Sequence, residues 1–347
     1  MNQTCTRLPA LPLVANDPYF SIWCAANRLT DAETSHWTGA LKPLRGSLVI
    51  DGKPWRYLGL GDAPALPTKA LRVTPMTTEA VYEADGVALT LRFVTPLPLK
   101  DMDRLSTPIT LVEALLESRD GAPHEVSFRF FASDALCYDG QTRPAMLADA
   151  WELPNGLHAA YMGQRVQKLL CHSGDHITID WGYLYLAGST PVCAEADGLA
   201  LETSLRLDGA ASRRVSLLLG YDDVASIQYF GHMQKAWYAR NGKTFVQALE
   251  ETWACRDALL SACDAFDREL LAEARERGGE DYALIVSAAY RHTVAAHKLI
   301  ADPQGRPVFL SKENDSNGCI GTVDVSYPSI PLFLKYNPEL VRAMARP

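Results

Sequence analysis

The sequence lacks the short signatures that mark the best-known enzyme classes. It has no G-x-S-x-G elbow, no S-x-x-K pair, no H-E-x-x-H, no P-loop and no G-x-G-x-x-G. These absences remove the common serine hydrolases, zinc proteases and nucleotide enzymes at the level of motif. Basic clusters are also missing. Lys and Arg number 33 against 41 Asp and Glu, giving a net charge of -8, so neither nucleic acid nor an anionic membrane is an expected partner. No apolar run reaches the ~18 residues that a membrane span needs. The N-terminus has no charged start before a long apolar core and is broken by Pro9 and Pro12. No signal peptide is therefore read, and the sequence as it stands suggests a cytoplasmic protein.

Cysteine is present but unorganised. Cys5, Cys24, Cys137, Cys171, Cys193, Cys255, Cys263 and Cys319 form no C-x-x-C pair and no metal-ligand spacing. Free thiols in a reducing compartment are expected, and no metal and no cofactor. Asp17, Asp31 and Asp222 could each bind calcium, but no ligand spacing supports it.

What is present divides the chain in two. Up to about residue 235, short alternating runs such as VALTLRFV and HEVSFRFF are separated by turn signals at Asp51-Gly52, Asp85-Gly86 and Asp120-Gly121. This pattern predicts a large antiparallel β-sandwich over residues 1–235. ITLVEALLE suits either helix or strand, and the turn signals around it favour strand. Composition then changes. Phe245, Leu249, Trp253, Leu260, Cys263, Phe266 and Leu270 recur at helical spacing. Helices are expected over 243–277 and 280–301, joined at Gly279 as an antiparallel hairpin, with a third helical stretch near the end interrupted at Asn337-Pro338. The second unit, 243–347, looks incomplete, because so few helices cannot enclose a core of their own.

Between the second and third helical stretches lies FLSKENDSNGCIGTVDVSYP, residues 309–328. It is polar, carries Gly318 and Gly321, and reads as a loop held by rigid neighbours. Glu313 and Asp324 lie eleven positions apart on it. A loop that folds back can bring two such acids within the ~5–10 Å that acid–base hydrolysis uses. The plainer alternative has Asp324 capping a turn and Glu313 pairing with Lys312 or an arginine. Lys312, Asn314 and Asn317 could orient a polar substrate or meet developing negative charge. Asp222, in Gly220-Tyr221-Asp222-Asp223, could line an interdomain cleft. His297 and Lys298, near a helix end, have a supporting role as the default, with His297 as a possible substrate contact. His36 beside Trp37 reads as a packed loop anchor.

Several segments together resemble the bacterial and fungal glutaminase A family. They are NDPYFSIW at 16–23, HWTG at 36–39, DGKPWRYLG at 51–59, IDWGYLYLA at 179–187, LGYDDVASIQYFG at 219–231, AYRHTVAAHKL at 289–299, and the stretch from 309 to 340. The resemblance implies a supersandwich-like β-sandwich followed by an (α/α)6 toroid of six helical hairpins, and hydrolysis of glutamine to glutamate and ammonia. Members of the family continue past a segment like YNPELVRAMARP. The resemblance therefore implies a truncated toroid, with the missing C-terminal part of the same chain as a partner beside a small-molecule substrate, amino acid or carbohydrate. A glycoside hydrolase with paired carboxylates and a non-catalytic carbohydrate-binding module are the alternative functions.

Overall fold

Two Asp-Gly pairs set two early hairpins. Asp51 and Gly52 both take positive φ, as do Asp85 and Gly86, the conformation that a two-residue turn between right-twisted strands requires. They join Leu44–Ile50 to Lys53–Leu58 and Thr77–Ala84 to Val87–Val94. The computed structural model describes residues 8–140, 142–209, 211–313 and 317–347.

Two large antiparallel sheets organise the first part of the chain. The eight-stranded sheet runs, in spatial order, Met146–Glu152, His158–Gln164, Tyr183–Gly188, Arg213–Asp222, Ile109–Ser118, Val87–Val94, Thr77–Ala84 and Thr68–Val73. The five-stranded sheet runs Val192–Glu195, Gly198–Leu207, His124–Ser133, Leu44–Ile50 and Lys53–Leu58. The Asp120-Gly121 turn links strands of different sheets, Ile109–Ser118 and His124–Ser133. His124 fastens it to the Asp51-Gly52 turn by bonding Asp51 at 2.7 Å and Asp120 at 3.0 Å.

The sheets face each other across one core. Leu48, Phe128, Phe130 and Leu201 of the smaller sheet share it with Leu91, Phe93, Leu217 and Leu219 of the larger. The larger sheet is also covered on its other face. Leu111, Tyr185 and Leu218 pack there with Phe245, Leu249, Leu260 and Tyr290 from the helices. Side chains alternate between faces along a strand, so Leu217 and Leu219 point one way and Leu218 the other. A strand buried on both faces reads as continuous hydrophobic sequence, which is why ITLVEALLE and VSLLLGY show no polar alternation.

Helix Phe245–Ala254 starts at a capping box in which Thr244 and Gln247 satisfy each other's backbone N–H. The next helical segment, Arg256–Ala295, breaks at Gly279 (φ 79°, ψ -170°). Its two arms fold back on each other. The rings of Phe266 and Tyr290 are 5.1 Å apart, where a straight helix would hold them roughly 36 Å apart. Leu271, Ala274 and Ala283 close the base of the hairpin.

Two local expectations are corrected. The helix expected to reach residue 301 ends at Ala295, and His297–Ala301 is a strand paired with Pro307–Ser311. The reason is a turn: Gly305 has φ 76° and its N–H bonds Asp302 O, while Asp302 accepts from the Gln304 and Arg306 N–H groups. The segment 309–328 is also less of a loop than expected. Phe309–Ser311 is strand, and helix Val323–Tyr336 begins one residue before Asp324. Pro328 and Pro331 lie inside that helix. Each removes one i→i−4 donor, which would have served Asp324 and Tyr327, both exposed, so water can satisfy their carbonyls.

Helices and sandwich are joined by buried polar contacts. Asp267 accepts from the Met76 N–H at 3.0 Å and from the Thr74 hydroxyl. Arg291 is the largest fully buried side chain and donates to the carbonyls of Pro12, Thr74 and Pro75 and to Thr78 Oγ1. Burial pulls its guanidinium down to about 10, partly offset by Asp267, so it stays charged at neutral pH. Arg291→Met leaves three buried carbonyls without this donor. Chemical denaturation is expected to show a loss on the order of 3 kcal/mol or more, and an unchanged midpoint would remove Arg291 from the set of structural contacts.

Candidate functional site

Two carboxylates and a lysine meet where strand His297–Ala301 reaches the sandwich. Asp17 sits in an Asx turn, its Oδ1 accepting from the N–H groups of Tyr19 and Phe20 at 2.9 and 3.0 Å. Asn16 and Pro18 flank it, and this turn chemistry fixes where its other oxygen points. Asp17 Oδ2 lies 2.6 Å from Lys298 Nζ, and Asp223 Oδ2 lies at the same distance. Asp223 also accepts from Ser226 Oγ at 2.7 Å. Lys298 is 3% exposed. Burial opposes its charge, but the two carboxylates outweigh burial and hold the ammonium above its ordinary range. Trp181 backs the cluster, donating its indole N–H to Asp223 O at 2.8 Å and meeting Tyr19 edge-on at 5.4 Å.

Asp222, the residue before Asp223, has a different environment. Its Oδ1 accepts from the Val224 N–H at 3.0 Å, with Val224 at positive φ to close the turn. It lines a cavity of ≈ 180 Å³ with Lys235, Tyr238, Lys243, Thr244 and Phe245. Desolvation raises its carboxyl to about 6, against the pull of the Val224 N–H and of the charges on Lys235 and Lys298. Two consecutive acids therefore differ: one is locked in an ion pair, and the other faces open space near its titration point.

His297 is buried and neutral. Its Nδ1–H donates to Thr293 O at 2.7 Å, its ring stacks on Phe309 at 4.7 Å, and burial pulls it down to about 4. His297 and Lys298 line a separate small cavity of ≈ 10 Å³ with Asn16 and Ser106. The His297 Nε2 has no partner among the described residues. His36 is the packed anchor its sequence context indicated, with Nε2 on Pro18 O at 2.9 Å. Burial pulls it down to about 3.

The segment after strand Pro307–Ser311 closes on itself. The Lys312 N–H bonds Ala296 O and the Glu313 N–H bonds Cys319 O, both at 2.9 Å. Ser311 Oγ meets Thr322 O at 3.0 Å and Ser326 Oγ at 2.8 Å, tying the strand end to the helix start. Lys312 is buried, and its amine is held below the ordinary range by desolvation, opposed by Glu313, Cys319 and Asp175. Glu313 is half-buried, two residues beyond Ser311. Asp324 is exposed in the first turn of helix Val323–Tyr336, two residues before Ser326. The Ser311–Ser326 contact thus brings together the two arms that carry these acids. Asn317 Oδ1 accepts from the Cys319 N–H at 2.9 Å, and the Gly318 N–H reaches Asp175 Oδ1 at 3.1 Å. Gly318 is required there, because a Cβ would lie 1.8 Å from Gly174 O. Asn314 lies outside the described residues.

The residues singled out in the sequence thus fall in two neighbouring places, Asp222 and His297 at the Lys298 cluster, and Glu313, Lys312, Asn317 and Asp324 around the closed segment. Sequence reasoning missed Asp17 and Asp223 as the partners of Lys298. The Asn16-Asp17-Pro18 turn and the paired acids at 222–223 were visible signals, but nothing in one sequence says that they meet. Among the described residues no group of three or more His, Cys, Asp or Glu side chains is arranged to hold a metal, and no helix is long and apolar enough to cross a membrane.

The raised carboxyl of Asp222 has a consequence for stability. The folded group binds its proton more tightly than the unfolded one, so its ionised form works against folding. That penalty is absent below pH 3.8 and complete above about 6. Asp222→Asn keeps an acceptor for the Val224 N–H and removes the charge. The variant is expected to be more stable than the parent at neutral pH, by on the order of 2 kcal/mol after solvent screening, with the difference vanishing as pH falls toward 4. Melting curves across that range measure it, and a variant less stable at neutral pH contradicts it.

Comparison with known proteins adds a frame. Residues 2–68 match a domain of unknown function, DUF4964, residues 77–206 match another, DUF5127, and residues 279–347 match the glutaminase A six helical-hairpin domain. Glutaminase A of Aspergillus oryzae is 24% identical over 98% of this chain and 56% of its own length. A protein of Arthroderma benhamiae named "Probable glutaminase/05536" is 32% identical over 24% of this chain and 9% of its own. The chain spans about half the length of the Aspergillus protein. Among solved structures, one titled "Putative kojibiose phosphorylase from human microbiome" aligns over 84% of this chain and 36% of its own, at 7% identity and a TM-score of 0.38. With antiparallel sheets followed by a helical region that matches the six-hairpin domain, and with one relative aligned along nearly the whole chain, the protein is similar to the glutaminase A family.

Proposed function

We propose that this chain serves a glutaminase-like hydrolase, releasing ammonia from the side-chain amide of glutamine, with Glu313 and Asp324 sharing the proton transfers. The observation that carries this reading is the alignment with glutaminase A along 98% of the chain. Water adds to the amide carbon, one carboxylate takes a proton from that water, and the other acid protonates the departing nitrogen. Lys312, Asn317 and Asn314 would answer the negative charge on the amide oxygen, and Asp222 and His297 would bound the substrate. Support within the fold comes from two contacts that fasten residues 311 and 312 to the chain that follows, Ser311 Oγ with Ser326 Oγ and the backbone pairing of Lys312 with Ile320.

The finer architecture belongs to the same proposal. A β-sandwich over 1–235 is followed by the beginning of a six-hairpin toroid over 243–347. Its support is the match of 279–347 to the six-hairpin domain, together with apolar side chains left open on these helices. Ile285 is 63% exposed, Leu334 55% and Tyr327 75%, a density of exposed apolar groups that suits further helical partners.

Asp324→Asn and Glu313→Gln, made in the enzyme with its complete helical domain, should each lower ammonia release from glutamine on the order of 100-fold. Melting temperature should barely move. Unchanged turnover in both ends the paired-acid assignment, and a large fall in melting temperature alongside lost turnover makes the acids structural. Sugar release from a glycoside panel with no ammonia release would instead select the glycosidase reading.

A further inference from the structure

We propose that the cavity walled by Asp222, Lys235, Tyr238 and Thr244 is a recognition site for a free α-amino acid, with Asp222 taking the α-ammonium and Lys235 the α-carboxylate. The proposal rests on the hydrolase reading only for which amino acid is meant, namely glutamine.

The cavity lies where three elements converge: the end of strand Arg213–Asp222, the segment after the hairpin Ile227–Tyr229 and His232–Gln234, and the start of helix Phe245–Ala254. Its charged groups are sorted in an unusual way. Lys243 is taken up by Glu251 at 2.7 Å, and Asp223 by Lys298 at 2.6 Å. Asp222 and Lys235 line the same space, yet among the described residues neither forms an ion pair. The Asp222 carboxylate has the Val224 N–H and no cation. An acid and an amine that share a cavity without meeting leave room for a ligand that carries both opposite charges.

The remaining walls suit the same ligand. Helix Phe245–Ala254 points its N-terminus at the cavity through Thr244, on the side that favours a carboxylate. Phe245 and Tyr238 supply apolar surface for a side chain's methylene groups, and their rings are fixed by contacts with each other and with Tyr185. Ala236, Ala239 and Gly242 keep the cavity open at ≈ 180 Å³. An inorganic anion would use Lys235 and leave Asp222 unanswered. A neutral sugar would answer neither charge. Asp222 also comes from a tandem acid pair whose second member already secures the fold, so its open position is not needed to hold Lys298.

Titration calorimetry near neutral pH tests this with L-glutamine, N-acetyl-L-glutamine, L-glutaminamide and inorganic phosphate as probes. L-Glutamine should bind the parent chain, and Asp222→Asn and Lys235→Met should each weaken it on the order of tenfold or more. N-Acetyl-L-glutamine has no ammonium and should be insensitive to Asp222→Asn. L-Glutaminamide has no carboxylate and should be insensitive to Lys235→Met. Lys235 is exposed, so its variant folds even if the Asp222 variant does not, which melting curves check. Absent glutamine binding by the parent, equal binding of the acetylated probe, or unaltered affinity in Lys235→Met overturns the site. Phosphate binding that matches glutamine reduces it to an anion site and overturns it also. Ammonia release by the enzyme with its complete helical domain, followed in parallel, judges the hydrolase reading separately: release that survives with no amino-acid binding in this cavity removes the site alone, and binding without release by that enzyme removes the hydrolysis alone.

Discussion

Buried positive charge holds the two halves of this fold together. Arg291, on the second arm of the helical hairpin, and Lys298, on the strand that follows, both reach into the sandwich. A cation removed from water is tolerated only if its donors are answered, and here the answers come from far along the chain. Arg291 is met by backbone carbonyls near residues 12, 74 and 75, and Lys298 by Asp17 and Asp223. Each contact has a fixed geometry, so the helical part has one seat on the sandwich. A hydrophobic seam alone would permit sliding; a set of directed bonds around buried charges does not.

The seat also determines where chemistry can be placed. Lys298 draws Asp223 into an ion pair, and the chain direction then leaves Asp222 facing the adjoining cavity. Strand His297–Ala301 pairs with Pro307–Ser311, which delivers Lys312 and Glu313 to the same end of the molecule. Helix Val323–Tyr336 is fastened back through Ser326. The candidate groups are therefore carried by a short series of anchored elements, each resting on the one before. Supporting contacts of this kind, rather than the reactive groups themselves, keep a site within the narrow tolerance that proton transfer requires.

Much of the sandwich was legible because its signals are local. Asp51-Gly52 and Asp85-Gly86 can hardly be other than tight turns, and alternation beside them places the strands. ITLVEALLE was harder: burial on both faces erases alternation, and only the neighbouring turns decided it. The helical stretch 243–277 was legible for the same local reason, and so was the break at Gly279, but its division at Cys255 into Phe245–Ala254 and a helix from Arg256 was not. Residues 297–301 were misread because AAHKLIA suits helix and strand equally. The deciding signal was the turn Asp302-Pro303-Gln304-Gly305 behind it, with the apolar run of Pro307–Ser311 as the partner strand. Asp324 was placed on a loop because the stretch is polar and broken by Gly318 and Gly321, yet the Ser311–Ser326 contact and the burial of Phe333 outweigh propensity there.

The site was legible in its residue types and illegible in its pairings. Asp17 lies more than two hundred positions before Asp223 and Lys298, which are themselves 75 apart, and their meeting depends on how the helical hairpin lands on the larger sheet. No spacing rule reaches that far. The consecutive acids at 222 and 223 show the limit most plainly. Their sequence environments are nearly the same, but one side chain is neutralised by a buried lysine and the other is pushed toward protonation by an open, poorly solvated cavity. The difference in their chemistry comes from the alternation of side chains at the end of one strand, and therefore from the tertiary contact that decides which side of that strand is filled.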